Sequence, residues 1–343
     1  MTAAGGNFSY VLPLRIATDQ VDAADELTAY LQSLASWCGD VIVIDGSPEA
    51  VFEANARRWQ GLVRHAKPDP AHAALTGKVA GVLTGVDLAH HDRVVIADDD
   101  VRYGKPELDR TVALLDAYDL VRPQNYFSPL PWHALWDTAR TLLNRATIGV
   151  DFPGTLAVRR SSLLAVDGYD GTVLFENLEL IRTIGAHHGT VVSPLDLYVM
   201  RLPPSTAHFI GQRTRQAYDE FAMPPRMAVW LAILPGLVGA AARRRPGVVL
   251  AGAGAVIALA EHGRRRAGGT TVFPAKASAL APLWVMERAV CSWLAVVQRL
   301  WLGGVRYGDR VIPTAAHSAR TLRRRAATPR LAVRQLEGTP EGR

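Results

Sequence analysis

The chain has 343 residues, 49% of them hydrophobic and 20% charged, which excludes a disordered protein and allows one large or two modest domains. Its net charge of +6 conceals a split: residues 226–343 carry 19 Lys/Arg against 5 Asp/Glu, whereas residues 1–225 carry 19 basic and 27 acidic side chains. A uniformly basic nucleic-acid binder is thereby excluded. The pattern is an acidic half joined to a basic, apolar tail of the kind that meets anionic membrane surfaces.

The first ten residues (MTAAGGNFSY) lack a basic segment followed by a long apolar run, so no secretory signal is expected and residues 1–225 are expected in the cytoplasm. Residues 10–16 (YVLPLRI) read as a strand, and Leu27, Tyr30, Leu31 and Leu34 follow at helical spacing. Residues 41–45 (VIVID) form a second predicted strand, closed by the turn Gly46-Ser47-Pro48. A helix is predicted over residues 71–88, then a strand over 94–97 (VVIA) that runs straight into Asp98, Asp99 and Asp100. This alternation predicts an α/β fold with a mostly parallel sheet, in which ligands sit beyond the carboxyl ends of the strands. Asp45 and the three aspartates occupy that position.

The tail differs. Residues 227–242 and 246–260 contain no charge, and Arg243, Arg244 and Arg245 stand between them. At 1.5 Å per residue the first stretch reaches only about 24 Å, short of a hydrocarbon core of roughly 30 Å. Shallow insertion or a short hairpin is therefore expected over one continuous span; two buried helices of a soluble domain are the alternative. Further on, Met286, Val290, Trp293, Val297 and Leu300 share one helical face, with Arg288, Ser292 and Arg299 opposite. Trp284, Trp293 and Trp301 are the aromatics expected of a helix in the headgroup plane. The Arg/Ala-rich end after Ser318 reads as a solvated basic tail.

Three adjacent carboxylates at a strand end repel one another unless a cation neutralises them, and hard oxygen ligands suit Mg²⁺ or Mn²⁺. Alternation along extended backbone lets Asp98 and Asp100 share one ion while Asp99 points elsewhere. A solvated acidic turn is the competing reading. Glu176 begins a predicted helix, where it serves either as a base or as a favourable partner of the helix dipole. Arg213 and Arg215 suit phosphate oxygens or a solvated helix face, and Lys78 a phosphate or a helix surface. His187 and His188 read as surface residues; Cys38 and Cys291 read as packed apolar side chains in a reducing compartment.

Several segments, in order and spacing, resemble family-2 glycosyltransferases across roughly residues 10–222. They are PLR at 13–15, VIVIDGSP at 41–48, the helix with Gly77-Lys78 leading to the aspartates, and FPGTLAVRRSSLLAVDGYD at 152–170. FENLEL at 175–180 and QRTRQ at 212–216 complete the set. LWVMERAVCSWLA and GGVRYGDR in the tail resemble lipid-directed members of the ceramide glucosyltransferase and hopanoid type. The resemblance implies a GT-A, Rossmann-like domain over residues 1–225, membrane-associated helices over 226–305 and a basic tail over 306–343. It implies an inverting, metal-dependent hexosyltransferase at the cytoplasmic face of the inner membrane, moving a sugar from a nucleotide-sugar donor to a lipid-linked or apolar acceptor. The implied metal ligands are Asp98 and Asp100, with Mg²⁺ or Mn²⁺. Arg15, Asp45, Lys78, Asp98 and Arg213 are implied on the donor, and Glu176, Gln212 and Arg215 in catalysis. Two positions depart from the pattern: Asn177 stands for the second acid of the usual pair, leaving Glu176 or Glu179 as base, and Gln216 replaces the closing Trp. A nucleotidyltransferase would share the sheet and carboxylates but normally shows a Gly-rich loop after the first strand, which residues 11–18 lack. A non-catalytic membrane scaffold is the third reading.

Overall fold

The computed structural model describes residues 6–17, 23–73, 76–308 and 310–327. The chain begins with β1 (Gly6–Leu14), α1 (Ala23–Trp37), β2 (Cys38–Asp45), α2 (Glu49–Arg58), β3 (Arg64–Ala66), α3 (Gly77–Leu88) and β4 (Arg93–Ala97). It continues through β5 (Val101–Arg102), α4 (Lys105–Leu114), β6 (Leu120–Val121), β7 (Gln124–Phe127), α5 (Trp132–Thr147), β8 (Thr155–Arg159) and α6 (Arg160–Ala165). Next come α7 (Glu176–Ala186), β9 (Val191–Val192), β10 (Tyr198–Arg201) and α8 (Thr206–Tyr218). The last elements are α9 (Pro224–Ala242), α10 (Pro246–Arg265), α11 (Ala275–Leu302), the hairpin β11 (Val305–Tyr307) and β12 (Arg310–Ile312), and α12 (Ala319–Ala327).

The main sheet has seven strands in the order β3-β2-β1-β4-β8-β6-β9. The strands β1 to β4 pair in parallel, and β8 runs antiparallel to both β4 and β6. Helices cover both faces, so the central strands are buried on each side and read as nearly continuous apolar runs. Side-chain alternation still sorts them: Tyr10, Leu12, Val43 and Val95 join the core under α1 and α4, while Val11, Ile42, Ile44 and Ile96 join the core under α3. The predicted helix over 71–88 is shorter than expected. A 3-10 turn occupies Pro70–His72 and α3 starts at Gly77.

The position of α3 depends on two glycines one turn apart. A Cβ on Gly81 would lie 2.9 Å from Pro13 Cβ, and one on Gly85 would lie 2.3 Å from a Val11 methyl. Bare Cα atoms let α3 press onto β1, and the first turn of α3 thereby carries Lys78 over the carboxyl end of the sheet.

A second sheet, β5-β10-β7, lies beside the first, with β10 parallel to β7 and antiparallel to β5. Its register sets Arg201 opposite Val101, and Leu202 N–H donates to the Asp100 carbonyl at 2.7 Å. The last residue of β10 is thus tied to the aspartate cluster.

The tail departs from expectation in three ways. First, α9 and α10 have 19 and 20 residues, about 28–30 Å of helix, longer than the uncharged runs alone. With α11 they are three helices long and apolar enough to cross a membrane. Second, α11 turns the first part of its polar stripe inward: Arg288 and Ser292 are buried while Arg299 stays exposed, and Met286, Val290, Trp293, Val297 and Leu300 are exposed. Third, Trp284 is buried against the Trp230 ring (centroids 5.7 Å apart), which leaves Trp293 and Trp301 as the outward tryptophans. The described part of the basic end forms a helix, α12, whose arginines at 323–325 are exposed as a solvated tail requires. Phe175 N–H donates to the Ala315 carbonyl at 2.7 Å, Leu322 is buried, and Arg325 reaches Asp170 at 3.4 Å. The boundary at residue 225 does not separate two cores, since Met227, Cys291 and Ala295 share one cluster with Leu174 and Tyr218.

Candidate active site

A cleft of about 730 Å³ opens beyond the carboxyl ends of β1 and β4. Pro13, Arg15, Gly46 and Pro68 line one part, and Lys78, Asp98, Asp99, Asp100, Glu176 and Arg201 another. Gln212, Arg215 and Asp219 also line it.

Lys78 Nζ bridges two carboxylates, 2.6 Å from Asp98 Oδ1 and 2.7 Å from Glu176 Oε1. Burial works against the ammonium charge, but Asp98 and Glu176 outweigh it and hold the lysine protonated well above its usual range. Arg201 Nε donates to Asp100 Oδ2 at 2.8 Å, and its Nη2 lies 3.5 Å from Asp98 Oδ2. Gly154 completes the packing: a Cβ there would sit 2.8 Å from Asp98 Oδ2 and 3.1 Å from the Arg201 guanidinium carbon. Only glycine allows both groups to meet.

Two cations against a cluster of four carboxylates leave negative charge over. Asp100 Oδ1 is buried without a hydrogen-bond partner, and burial raises the Asp100 pKa although Arg201 opposes the shift. An unpartnered hard oxygen among adjacent carboxylates fits a divalent cation. Asp98 and Asp100 are the residues that would hold it.

Glu176 begins α7 and also reaches across the cleft to Lys78. Glu179 is excluded as an alternative base. Its carboxylate is fully buried, accepting from His317 N–H at 2.7 Å and lying 2.8 Å from His317 Nδ1. Asn177 donates to the Pro153 carbonyl at 3.0 Å, holding the loop before β8.

Two residues implied on the donor stand elsewhere. The Asp45 carboxylate is buried and turned inward, accepting from Ser47 N–H and Asn55 Nδ2 at 2.9 Å, with His65 Nε2 at 3.1 Å; it shapes the loop at Gly46 instead of lining the cleft. Arg213 points away from the cleft, to Asp137 Oδ1 at 3.1 Å and Glu287 Oε1 at 2.7 Å. Helical spacing explains this: residues 212 and 215–216 share a face of α8, and 213 falls on the face against α5 and α11. Gln212 contacts His208, and the Arg215 guanidinium lies 5.1 Å from the Tyr307 ring centroid.

Sequence reasoning missed Arg201 and Asp219. Arg201 closes the strand YVMR just before Pro203-Pro204, the sort of strand end where functional groups gather, yet nothing local relates it to residues 98–100. Asp219 follows α8 directly. Burial and the charge of Glu176 push its pKa up to about 8, and its Oδ1 has no partner.

This sheet, with an acidic cluster at the end of β4, has the GT-A fold, extended here by three apolar helices. Among solved structures, the mannosyltransferase PcManGT of Pyrobaculum calidifontis, in complex with GDP-Man and Mn²⁺, is 18% identical. The match covers 87% of this chain and 88% of that one at a TM-score of 0.50. Glucosyl-3-phosphoglycerate synthase of Mycobacterium tuberculosis, in complex with Mn²⁺, UDP and phosphoglyceric acid, is 17% identical over 62% of this chain and 76% of that one, with a TM-score of 0.42. The sequence matches no family model and no curated protein.

Proposed function

We propose that the protein is a metal-dependent, inverting glycosyltransferase of the family-2 type that moves a hexose from a nucleotide sugar to an acceptor delivered at a membrane surface. The observation that carries this reading is the unpartnered Asp100 oxygen in a cluster of carboxylates at the end of β4, facing a cleft large enough for a nucleotide sugar. Arg15, Gly46 and Pro68 face the nucleotide. Asp98 and Asp100 hold Mg²⁺ or Mn²⁺, which when bound neutralises charge on a departing diphosphate. Arg201 orients the Asp98 and Asp100 carboxylates, and Arg215 and Gln212 donate hydrogen bonds to the leaving group. Glu176 accepts the proton of the acceptor hydroxyl as that oxygen attacks the anomeric carbon from the side opposite the nucleotide, which inverts the configuration. Lys78, 2.7 Å from Glu176 Oε1, orients the carboxylate for this step. Incubation with Mn²⁺ and a panel of sugar nucleotides, followed by assay of released UDP, GDP or dTDP, tests the reading; release from none of them sinks it.

The inverted amphipathicity of α11 supports a membrane partner and a lipid-linked or apolar acceptor at the cytoplasmic face. Its apolar stripe, together with most of α9 and α10, would otherwise face water; Leu300 and Trp301 are 77% and 86% exposed. Arg288, at the middle of α11, lines the cleft, which supports a position for α11 away from the bilayer midplane. The helices lie shallowly instead, with the arginines at 243–245 and 264–266 among anionic headgroups, each contributing about 1 kcal/mol. The protein is expected in the membrane fraction, with Arg244→Cys unlabelled by an impermeant thiol reagent from outside the cell. The native Cys38 and Cys291 are buried. Strong labelling would establish a spanning hairpin, and recovery in the soluble fraction without detergent would remove the membrane partner.

A further inference from the structure

One part of the cleft wall has no task in that reaction. It is formed by Arg140 of α5, Arg226 of α9 and Arg288 of α11. Their carboxylate partners are largely committed. Asp137 is divided between Arg140 at 3.2 Å and Arg213 at 3.1 Å; Arg140 also lies 3.5 Å from Asp151 Oδ1, which Thr141 and Asn144 hold as well, and Arg213 also takes Glu287. Arg226 holds Glu220 Oε1 at 3.1 Å and Asn144 Oδ1 at 3.0 Å. Arg140 Nε is buried without a partner, as are Arg288 Nε and Nη1, while Glu220 Oε2 is an unpartnered acceptor in the same region. The Arg288 side chain stacks 5.0 Å from the Trp284 ring centroid and is only 2% exposed. A buried guanidinium with free N–H groups demands an anion, and its planar fork suits an oxyanion.

We propose that Arg140, Arg226 and Arg288 form a second anion subsite in the cleft, distinct from the diphosphate site, that takes a phosphate or carboxylate on the acceptor. The assignment to the acceptor rests on the glycosyltransferase reading, which leaves the diphosphate to the Asp98, Asp100 and Arg201 end. Two of the three arginines stand on α9 and α11, whose outer faces are apolar. An amphiphile can therefore set its anionic head against their inner side while its apolar portion follows their outer side. The preferred acceptor is an anionic amphiphile, and a neutral one leaves Arg288 unpaired.

Calorimetric titration of the full chain in neutral detergent tests this, with inorganic phosphate and acetate as separate probes, each with and without saturating UDP or GDP and Mg²⁺. Phosphate, acetate or both should bind alongside the nucleotide, and the tighter probe identifies the headgroup. Arg288→Met should weaken that binding by about tenfold or more, the loss expected for charge-assisted hydrogen bonds, with nucleotide affinity unchanged. Should Arg288→Met not fold, Arg226→Gln decides by the same comparison; should neither fold, simultaneous binding to the wild-type chain decides. The subsite is overturned if neither anion binds, if nucleotide displaces them, or if a folded variant binds them as the wild type does. Anion binding without any nucleotide binding would instead retain the subsite and overturn the glycosyltransferase reading.

Discussion

Asp100→Asn should abolish measurable transfer, a fall of roughly 10³-fold or more, because several kcal/mol of charge stabilisation depend on a filled metal site. The substitution isolates charge from geometry. Asn Oδ1 can still accept from Arg201 Nε, which now donates to Asp100 Oδ2 at 2.8 Å, so β10 stays tied to the cluster. Mn²⁺-dependent nucleotide binding should be lost together with turnover. Stability should not fall. In the fold the Asp100 pKa is raised above its unfolded value, so its ionised form costs stability once the pH exceeds the ordinary carboxylate range, and the amide removes that cost. Melting at neutral pH should therefore be unchanged or slightly higher. Full activity with unchanged metal dependence would sink the metal assignment.

Glu176→Gln should leave nucleotide binding intact and reduce transfer by about 10²–10⁴-fold, the range for loss of a positioned general base. Gln can still accept from Lys78 Nζ, now 2.7 Å from Glu176 Oε1, so the fold of the cleft is retained while proton acceptance is removed. A fall confined to KM would show that Glu176 only positions Lys78. Two comparisons locate the base. Glu179→Gln should affect stability, since Glu179 is sealed against His317. If Asp219→Asn instead of Glu176→Gln gives the catalytic phenotype, the base lies at the end of α8; the pH–rate profile of the wild type would then rise towards pH 8, where Asp219 ionises.

The parts of this protein that rest on local chemistry were legible in the sequence. Strands β1, β2 and β4 are short apolar runs that end in turn formers or carboxylates, so their type and the place of the site beyond their carboxyl ends follow from period and punctuation alone. Three consecutive aspartates at a strand end pointed to a cation site, with a solvated acidic turn as the competing reading. The charge split between residues 1–225 and 226–343 likewise needed no structure to mark an unusual tail.

Other assignments were decided only by tertiary structure, because they depend on which face of an element meets which neighbour. Asp45 and Arg213 have the right chemistry for donor contacts, but β2 turns the first toward His65 and Asn55, and α8 turns the second toward Asp137 and Glu287. Arg201 reaches Asp98 and Asp100 only because β10 pairs with β5, which brings Arg201 to Asp100 across 101 positions of sequence. The stripe of α11 shows the same limit most plainly. Periodicity places Arg288 and Trp293 on opposite sides of a helix, yet it carries no sign saying which side faces protein. The packing of α11 against α5 and α8 supplies that sign: the charged face is enclosed and lines the cleft, and the apolar face is left outside.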